Sequence, residues 1–477
     1  MSGSVAMDHL HEEMARHRVE HELPAVSYGL VERGQLVDAG AVVADGYAPV
    51  DEATRFRASS LTKSITAATT LLLIDRGLLS LQDPVADHVP EAASLSAATP
   101  HAPARIGHLL TMTAGLPTDD PWIDELDDLS GDAFLDLIAS GVLSVRPPGS
   151  DYEYSNVGYA LLGGVITAVT GTDFREVIAE EVLTPVGMDH SGFAVPARDI
   201  RVPGHRIVDG ETAVMPMEDE IPLGAFAASG GLWSSVRDLS RWLAALDAGV
   251  AGESGPLPIH VVREMAAPRT LVRLDRRRVA DEDIAVAHGY GMGLFVSTYS
   301  DVGRVMFHQG GSPGFGAELR WHPASRWGIV AMASRGYPSL QHPARRTLQR
   351  IVGPDLDRIR RDAALRALLP ETIEAMDWAE ALLASWDDGT FARLGAATLD
   401  RQRPRSVWRD RFEATASARG PFTRDTSSLR STSPAHALWR VDGPGGDAWL
   451  EVLLTPTAPA RVQHLGLLDH PDEARAL

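Results

Sequence analysis

Two groups of apolar, β-prone runs stand far apart in this chain, with a mostly helical pattern between them. No other feature constrains the fold as strongly. Ala25 to Glu32 and Gln35 to Val43 flank Arg33-Gly34 and read as a hairpin. Arg304 to His308, Gly316 to His322 and Trp327 to Ser334 form the second group, broken by Gly310-Gly311 and by Pro323-Ala324-Ser325-Arg326. The intervening helical region carries one Pro/Gly-broken stretch, around Pro196 to Pro222. Strands so distant share a sheet only if both ends of the segment come together. The expected fold class is therefore α/β (α+β), an antiparallel sheet completed by both ends and flanked by helices, with Arg345 to Ile351 as its closing helix.

Gly353-Pro354 punctuates the chain. Beyond it, Asp357 to Leu368 and Glu371 to Ser385 are helical in pattern, and Ser406 to Ala416, Ala437 to Val441, Trp449 to Leu454 and Arg461 to Leu467 are strand-like. Helices followed by strands predict a separate small C-terminal α+β domain, residues 357–477, after a first domain of residues 1–352. The 477 residues, 44% of them hydrophobic, suffice for two or three domains. No apolar run reaches about 18 residues and the first residues are polar, so neither a membrane span nor a signal peptide is visible. A cytoplasmic location and no membrane partner are the expectations. Absence of cysteine excludes disulfides, thiol catalysis and thiolate metal sites.

A net charge of -20 argues against a nucleic-acid partner, because a phosphate backbone needs a basic face. The acidity lies mainly before residue 355. It includes a run at Asp119, Asp120, Asp124, Glu125, Asp127 and Asp128, which reads as a solvated loop rather than a site for a cationic substrate.

Lys63 is the only lysine among 44 basic residues, and it lies in Ser60-Leu61-Thr62-Lys63. Arginine can supply surface charge equally well, but only lysine can be tuned to give up its proton. A leftover lysine in an arginine-rich composition is the plain alternative. Spacing favours the chemical reading: residues three apart share a helix face, so the Ser60 hydroxyl and the Lys63 amine meet if the helix starts at or just before Ser60. A serine in the first turn also sees free backbone N–H groups and the positive end of the helix dipole. The small and apolar stretch from Ser64 to Arg76 ends at Gly77, a C-cap residue, and reads as a buried helix.

Tyr152-Glu153-Tyr154-Ser155-Asn156 precedes the apolar helix Gly158 to Thr170 and sets a phenol beside an amide. His308-Gln309-Gly310-Gly311 ends a predicted edge strand, where the glycines allow close approach of a substrate and expose an N–H. The ordered set Ser-x-x-Lys, Tyr-x-Asn, His-x-Gly resembles the signature of the serine β-lactamase and penicillin-binding-protein superfamily, in its branch of class C β-lactamases, esterases and D-aminopeptidases. Ile106 to Pro117, Pro185-Val186-Gly187-Met188, Gly230-Gly231-Leu232 and Tyr290-Gly291-Met292-Gly293 agree with it, so the resemblance spans residues 20 to 352.

The resemblance implies a β-lactamase/transpeptidase-like sheet with a helical subdomain, and no cofactor or metal. It makes Ser60 the acylated nucleophile, Lys63 its base and Tyr154 the proton shuttle, and leaves open which of the last two is base in each half-reaction. Asn156 would hold Lys63 and the substrate amide, His308 and Gly310 would line the substrate site, and the N–H groups of Ser60 and Gly311 would form the oxyanion hole. The partner is then a small-molecule or peptide substrate, an ester or a D-amino-acid amide. Penicillin-binding enzymes usually have Lys-Thr-Gly in the third position, and this chain has His308-Gln309-Gly310. A β-lactamase, or a non-hydrolytic penicillin-recognising protein, is the alternative. The C-terminal piece resembles a nuclear-transport-factor-like cone or a lipocalin-like barrel.

Two further patterns compete. Gly310-Gly311-Ser312-Pro313-Gly314 matches the Gly-x-Ser-x-Gly nucleophile elbow of α/β-hydrolases, which would make Ser312 the nucleophile of an esterase, but that elbow requires a helix after the serine. His11-Glu12-Glu13-Met14-Ala15 begins like a zinc-binding His-Glu-x-x-His and lacks the second histidine, so His17 and His21 are expected to decorate a polar helix and no metal site is expected.

Overall fold

The computed structural model describes residues 3–96, 103–120, 122–126, 128–208, 211–215, 224–279, 282–353 and 368–474. The chain divides into two compact units, Met1–Pro354 and Asp355–Leu477. In the first, the strands are β1 (Ala25–Glu32), β2 (Gln35–Val43), β3 (Phe56–Arg57), β4 (His205–Val208), β5 (Glu211–Val214), β6 (Trp233–Ser234), β7 (Thr270–Val279), β8 (Glu282–Tyr290), β9 (Phe295–Tyr299), β10 (Gly303–Ser312), β11 (Phe315–His322) and β12 (Trp327–Ala333). Eight of them form one sheet in the order β2-β1-β12-β11-β10-β9-β8-β7.

The two ends of the segment meet as the sequence pattern requires, with β1 antiparallel to β12 from Val26 opposite Ala333 to Glu32 opposite Trp327. Strands β1, β11 and β12 are almost wholly buried, which fits the apolar run of β12, while β11 buries Glu318 and Arg320 as an ion pair at 2.7 Å. The sequence reading left β7, β8 and β9 within the helical region, and here they extend the sheet. Their pattern gives little to read, since β7 is Thr-Leu-Val-Arg-Leu-Asp-Arg-Arg-Arg-Val. The glycine pair also does not break its strand: β10 runs through Gly310 and Gly311 to Ser312 and pairs with β11 from Met306 to Ser312. Only Gly303 to Phe307 pair with β9, so β10 has a strand on both sides only at Met306 and Phe307 and is an edge from His308 onward.

Helices α1 (Gly3–Glu20) and α2 (Thr62–Asp75), α3 (Asn156–Thr170), α4 (Val236–Ala251) and α5 (Gln341–Val352) place the site. Helix α2 is preceded by a 3₁₀ turn at Ser59–Leu61, and every residue from Thr62 to Leu73 is buried. It stops where Gly77 takes φ +75° and the Leu78 N–H returns to the Leu73 carbonyl at 3.0 Å, a Schellman-type end.

In the second unit, α6 (Pro370–Ala384) leads into two shorter helices and a third of equal length, and then a four-stranded antiparallel meander, β13 (Thr423–Arg430) to β16 (Val462–Leu468), in sequential order. Ser406 to Ala416, expected as a strand, is the helix Arg405–Arg419, because Trp408 and Phe412, four apart, turn to one core. Asp357 to 367, most of another expected helix, lies outside the described residues.

Candidate active site

The approach of β10 to the start of α2 builds the site. A Cβ at Gly310 would lie 2.3 Å from the Ala58 carbonyl oxygen, so that position admits no side chain without backbone movement, and one at Gly311 would lie 2.6 Å from the Tyr337 ring, which would have to swing aside. Ser59 sits at φ +50°, a left-handed conformation uncommon for serine, and its Oγ is 2.7 Å from Ser312 Oγ. That contact pins the strand end against the turn carrying Ser60.

One turn on, Lys63 is fully buried at the bottom of the site. Its Nζ lies 3.0 Å from Ser60 Oγ, 2.6 Å from Asn156 Oδ1 and 2.8 Å from the Ser229 carbonyl oxygen. Burial lowers the Lys63 pKa from its usual 10.5 to about 7, against an opposing pull from Asp120 and Asp119. The neutral amine has two N–H groups and one lone pair. Carbonyl oxygens only accept, so both N–H groups go to Asn156 and Ser229, and the lone pair is left for the Ser60 hydroxyl.

Asn156 cannot flip. Its Nδ2 donates to Asp119 Oδ1 at 2.8 Å and Asp120 Oδ1 at 2.7 Å, which fixes Oδ1 toward the lysine. Asp119 is itself buried and caps α3, accepting from the Asn156 N–H at 2.9 Å, the Val157 N–H at 2.8 Å and the Ser155 hydroxyl at 3.0 Å. The acidic run is therefore not simply a solvated loop. Sequence reasoning missed Asp119 and Asp120 because their partners lie some 36 or more positions away. Asp119→Ala would strand these donors in the interior and is expected to lower unfolding free energy by about 2–4 kcal/mol, read from denaturant melts of both proteins.

Tyr154 hydrogen-bonds Ser60, and its ring centroid lies 4.9 Å from Lys63 Nζ. Burial raises its pKa well above the usual 10, so it is a neutral phenol. His308 lies buried in the middle of β10, not at a strand end. Its Nδ1 donates to the Gln309 carbonyl at 2.7 Å, leaving Nε2 as a buried acceptor with no partner among the described residues. Burial, and then the charge of Lys63, lower its pKa to about 3. It is neutral throughout the working range.

Ser60, Asp120, Tyr154, His308, Gly311 and Tyr337 line one cavity of about 620 Å³, a size suited to a small organic substrate. Gly310 lines it too, so the cavity brings together every sequence-derived site residue but the buried Lys63 and Asn156, which touch its floor from below. Ser312 does not meet the elbow requirement. The turn after it leads into β11, not into a helix, and its hydroxyl pairs with Ser59.

Residues 10–353 match the family described as Beta-lactamase. Esterase EstB of Burkholderia gladioli is 33% identical over 239 residues, covering 42% of this chain and 59% of its own. In fold, the chain is similar to the octameric penicillin-binding protein homologue from Pyrococcus abyssi, with a TM-score of 0.61 at 18% identity over 97% of this chain and 98% of that one. It is also similar to a D-stereospecific amidohydrolase from Streptomyces, with a TM-score of 0.56 at 19% identity over 72% and 98%. The chain belongs to the Beta-lactamase family.

Proposed function

We propose that this member of the Beta-lactamase family is a serine hydrolase that forms an acyl-enzyme at Ser60 and cleaves a small ester or a D-amino-acid amide or peptide. The contact that carries the reading is the 3.0 Å approach of a buried, near-neutral lysine to the Ser60 hydroxyl. Lys63 takes the serine proton as Oγ attacks the carbonyl carbon. Tyr154, bonded to the same hydroxyl, passes a proton to the leaving group as the tetrahedral intermediate collapses. The Ser60 and Gly311 N–H groups are assigned to the oxyanion that forms in between. Asn156 orients the base, and His308 Nε2 offers an acceptor to a substrate donor.

A second reading, action on or capture of a β-lactam, has one observation behind it. Arg273, Arg320 and Arg345 line the same cavity, and although Arg273 pairs with Asp275 at 3.0 Å and Arg320 with Glu318 at 2.7 Å, they give this wall the positive charge toward a substrate carboxylate that neutral His308 lacks. A panel of p-nitrophenyl butyrate, D-alanyl p-nitroanilide and a chromogenic cephalosporin separates the readings. Turnover of the first or second is expected. Stoichiometric labelling of Ser60 by the cephalosporin, with no turnover of any substrate, would overturn the hydrolase reading.

The pH dependence follows from the base. Neutral Lys63 is the reactive form, so kcat/KM is expected to rise about tenfold per pH unit below about 7 and to level off above it. Asp120 raises the lysine pKa, so Asp120→Asn should move the break to lower pH, which a kcat/KM profile from pH 5 to 9 reads directly.

A further inference from the structure

At the end of α1, three potential metal ligands converge outside the cavity. His17 and Glu20 lie in the last turn of α1 and His21 directly follows it, its N–H still bonded to the His17 carbonyl at 3.0 Å, so the three share one face and one ligand atom from each lies within 4.8 Å of the others. His17 is not surface decoration, as its polar surroundings in sequence suggested. It is buried, and its Nε2 lies 2.6 Å from the Pro338 carbonyl oxygen. A carbonyl only accepts, so Nε2 carries the proton and Nδ1 keeps the lone pair.

That arrangement is how proteins prepare a metal-binding imidazole, with the second nitrogen donating to a backbone carbonyl that fixes tautomer and ring orientation. His21 and Glu20 are exposed and free to adjust around an ion, and the two rings lie 4.2 Å apart. Glu13 pairs with Arg346 at 2.6 Å and with Arg16 at 2.5 Å, and Arg16 also reaches Glu20 at 3.7 Å, so an ion would take that carboxylate from an arginine that keeps Glu13.

We propose that His17, Glu20 and His21 form a binding site for a divalent transition-metal ion of the zinc type, with two nitrogen ligands, one carboxylate and a fourth position left to water. The donor set and spacing suit Zn²⁺, which takes His nitrogen and carboxylate oxygen at about 2.0–2.2 Å in tetrahedral geometry. The site backs onto the cavity wall. Pro338, held by His17, lies between Tyr337 and Ser339, both at positive φ and both lining the cavity. An ion on Nδ1 would thus stiffen that wall without touching Ser60.

The test is equilibrium dialysis of the full chain, stripped with chelator, against ZnCl₂, with metal content read by elemental analysis. One Zn²⁺ per chain is expected. His21→Ala and Glu20→Ala, both at exposed positions, should each weaken binding at least about tenfold, the lower end of what loss of even an outer-shell partner costs. His11→Ala, on the same helix and outside the cluster, should leave binding unchanged, and melting curves check that the variants fold. No saturable binding by the wild type would overturn the proposal. So would equal binding by His21→Ala, because the ion would then sit on others of the 17 histidines. Neither result depends on hydrolysis, so the function proposed for Ser60 stands or falls separately.

Discussion

Lys63→Arg is expected to lower kcat/KM on the best substrate of the panel by roughly 10²–10⁴-fold, the range for loss of a positioned general base. Charge is kept by this change and the lone pair is lost, since a guanidinium does not deprotonate in a protein. The wild-type amine has its two acceptors, Asn156 Oδ1 and the Ser229 carbonyl, ready to hold the neutral form against Ser60. An arginine offers those acceptors donors but offers Ser60 no base. The side chain is fully buried, so a melting curve must show that the larger group is accommodated. The pH profile gives an independent reading: the break near pH 7 should vanish with the lysine. Retention of more than a tenth of the activity with the same break would exclude Lys63 as the base.

Ser60→Ala should be more damaging still, on the order of 10⁴-fold or more, as expected for removal of a nucleophile from a unit whose parts act together. The covalent adduct seen by intact-protein mass after a short burst with ester should disappear with it. Ser312→Ala is the contrast. Its hydroxyl bonds only Ser59 Oγ among the described residues, so the change should cost about 1 kcal/mol of stability and leave most of the activity. The reverse pattern, with Ser312→Ala inactive and Ser60→Ala active, would refute the acyl-enzyme assignment.

By itself, the sequence determined the parts of this protein set by local spacing and burial pattern. Ser60 and Lys63 share a helix face because they are three residues apart, and the runs at 25–32 and 327–333 pair because each buries both faces. Tyr154, Asn156 and His308 joined them only through the resemblance that the motif order carries, since Tyr154 lies in the loop before α3 and no local spacing links it to Ser60. Where the signal was weak, reading along the chain failed. Polar β7 was left within the helical region, β10 was expected to stop at glycines that serve instead to let it approach Ala58, and the helix Arg405–Arg419 looked like a strand.

Only tertiary structure decided the electrostatics. Lysine at Lys63 is an ordinary ammonium in sequence, and becomes a base near neutral pH because the fold removes its water and supplies two neutral acceptors. Asp119 is one more acid in an acidic run until the fold turns it onto the first turn of α3, where it locks Asn156. His17 likewise gains a fixed tautomer from the Pro338 carbonyl, 321 residues away. Spacing decides which side chains can meet locally. Desolvation and long-range hydrogen bonding decide what those side chains are chemically, and both arise only when distant segments close around them.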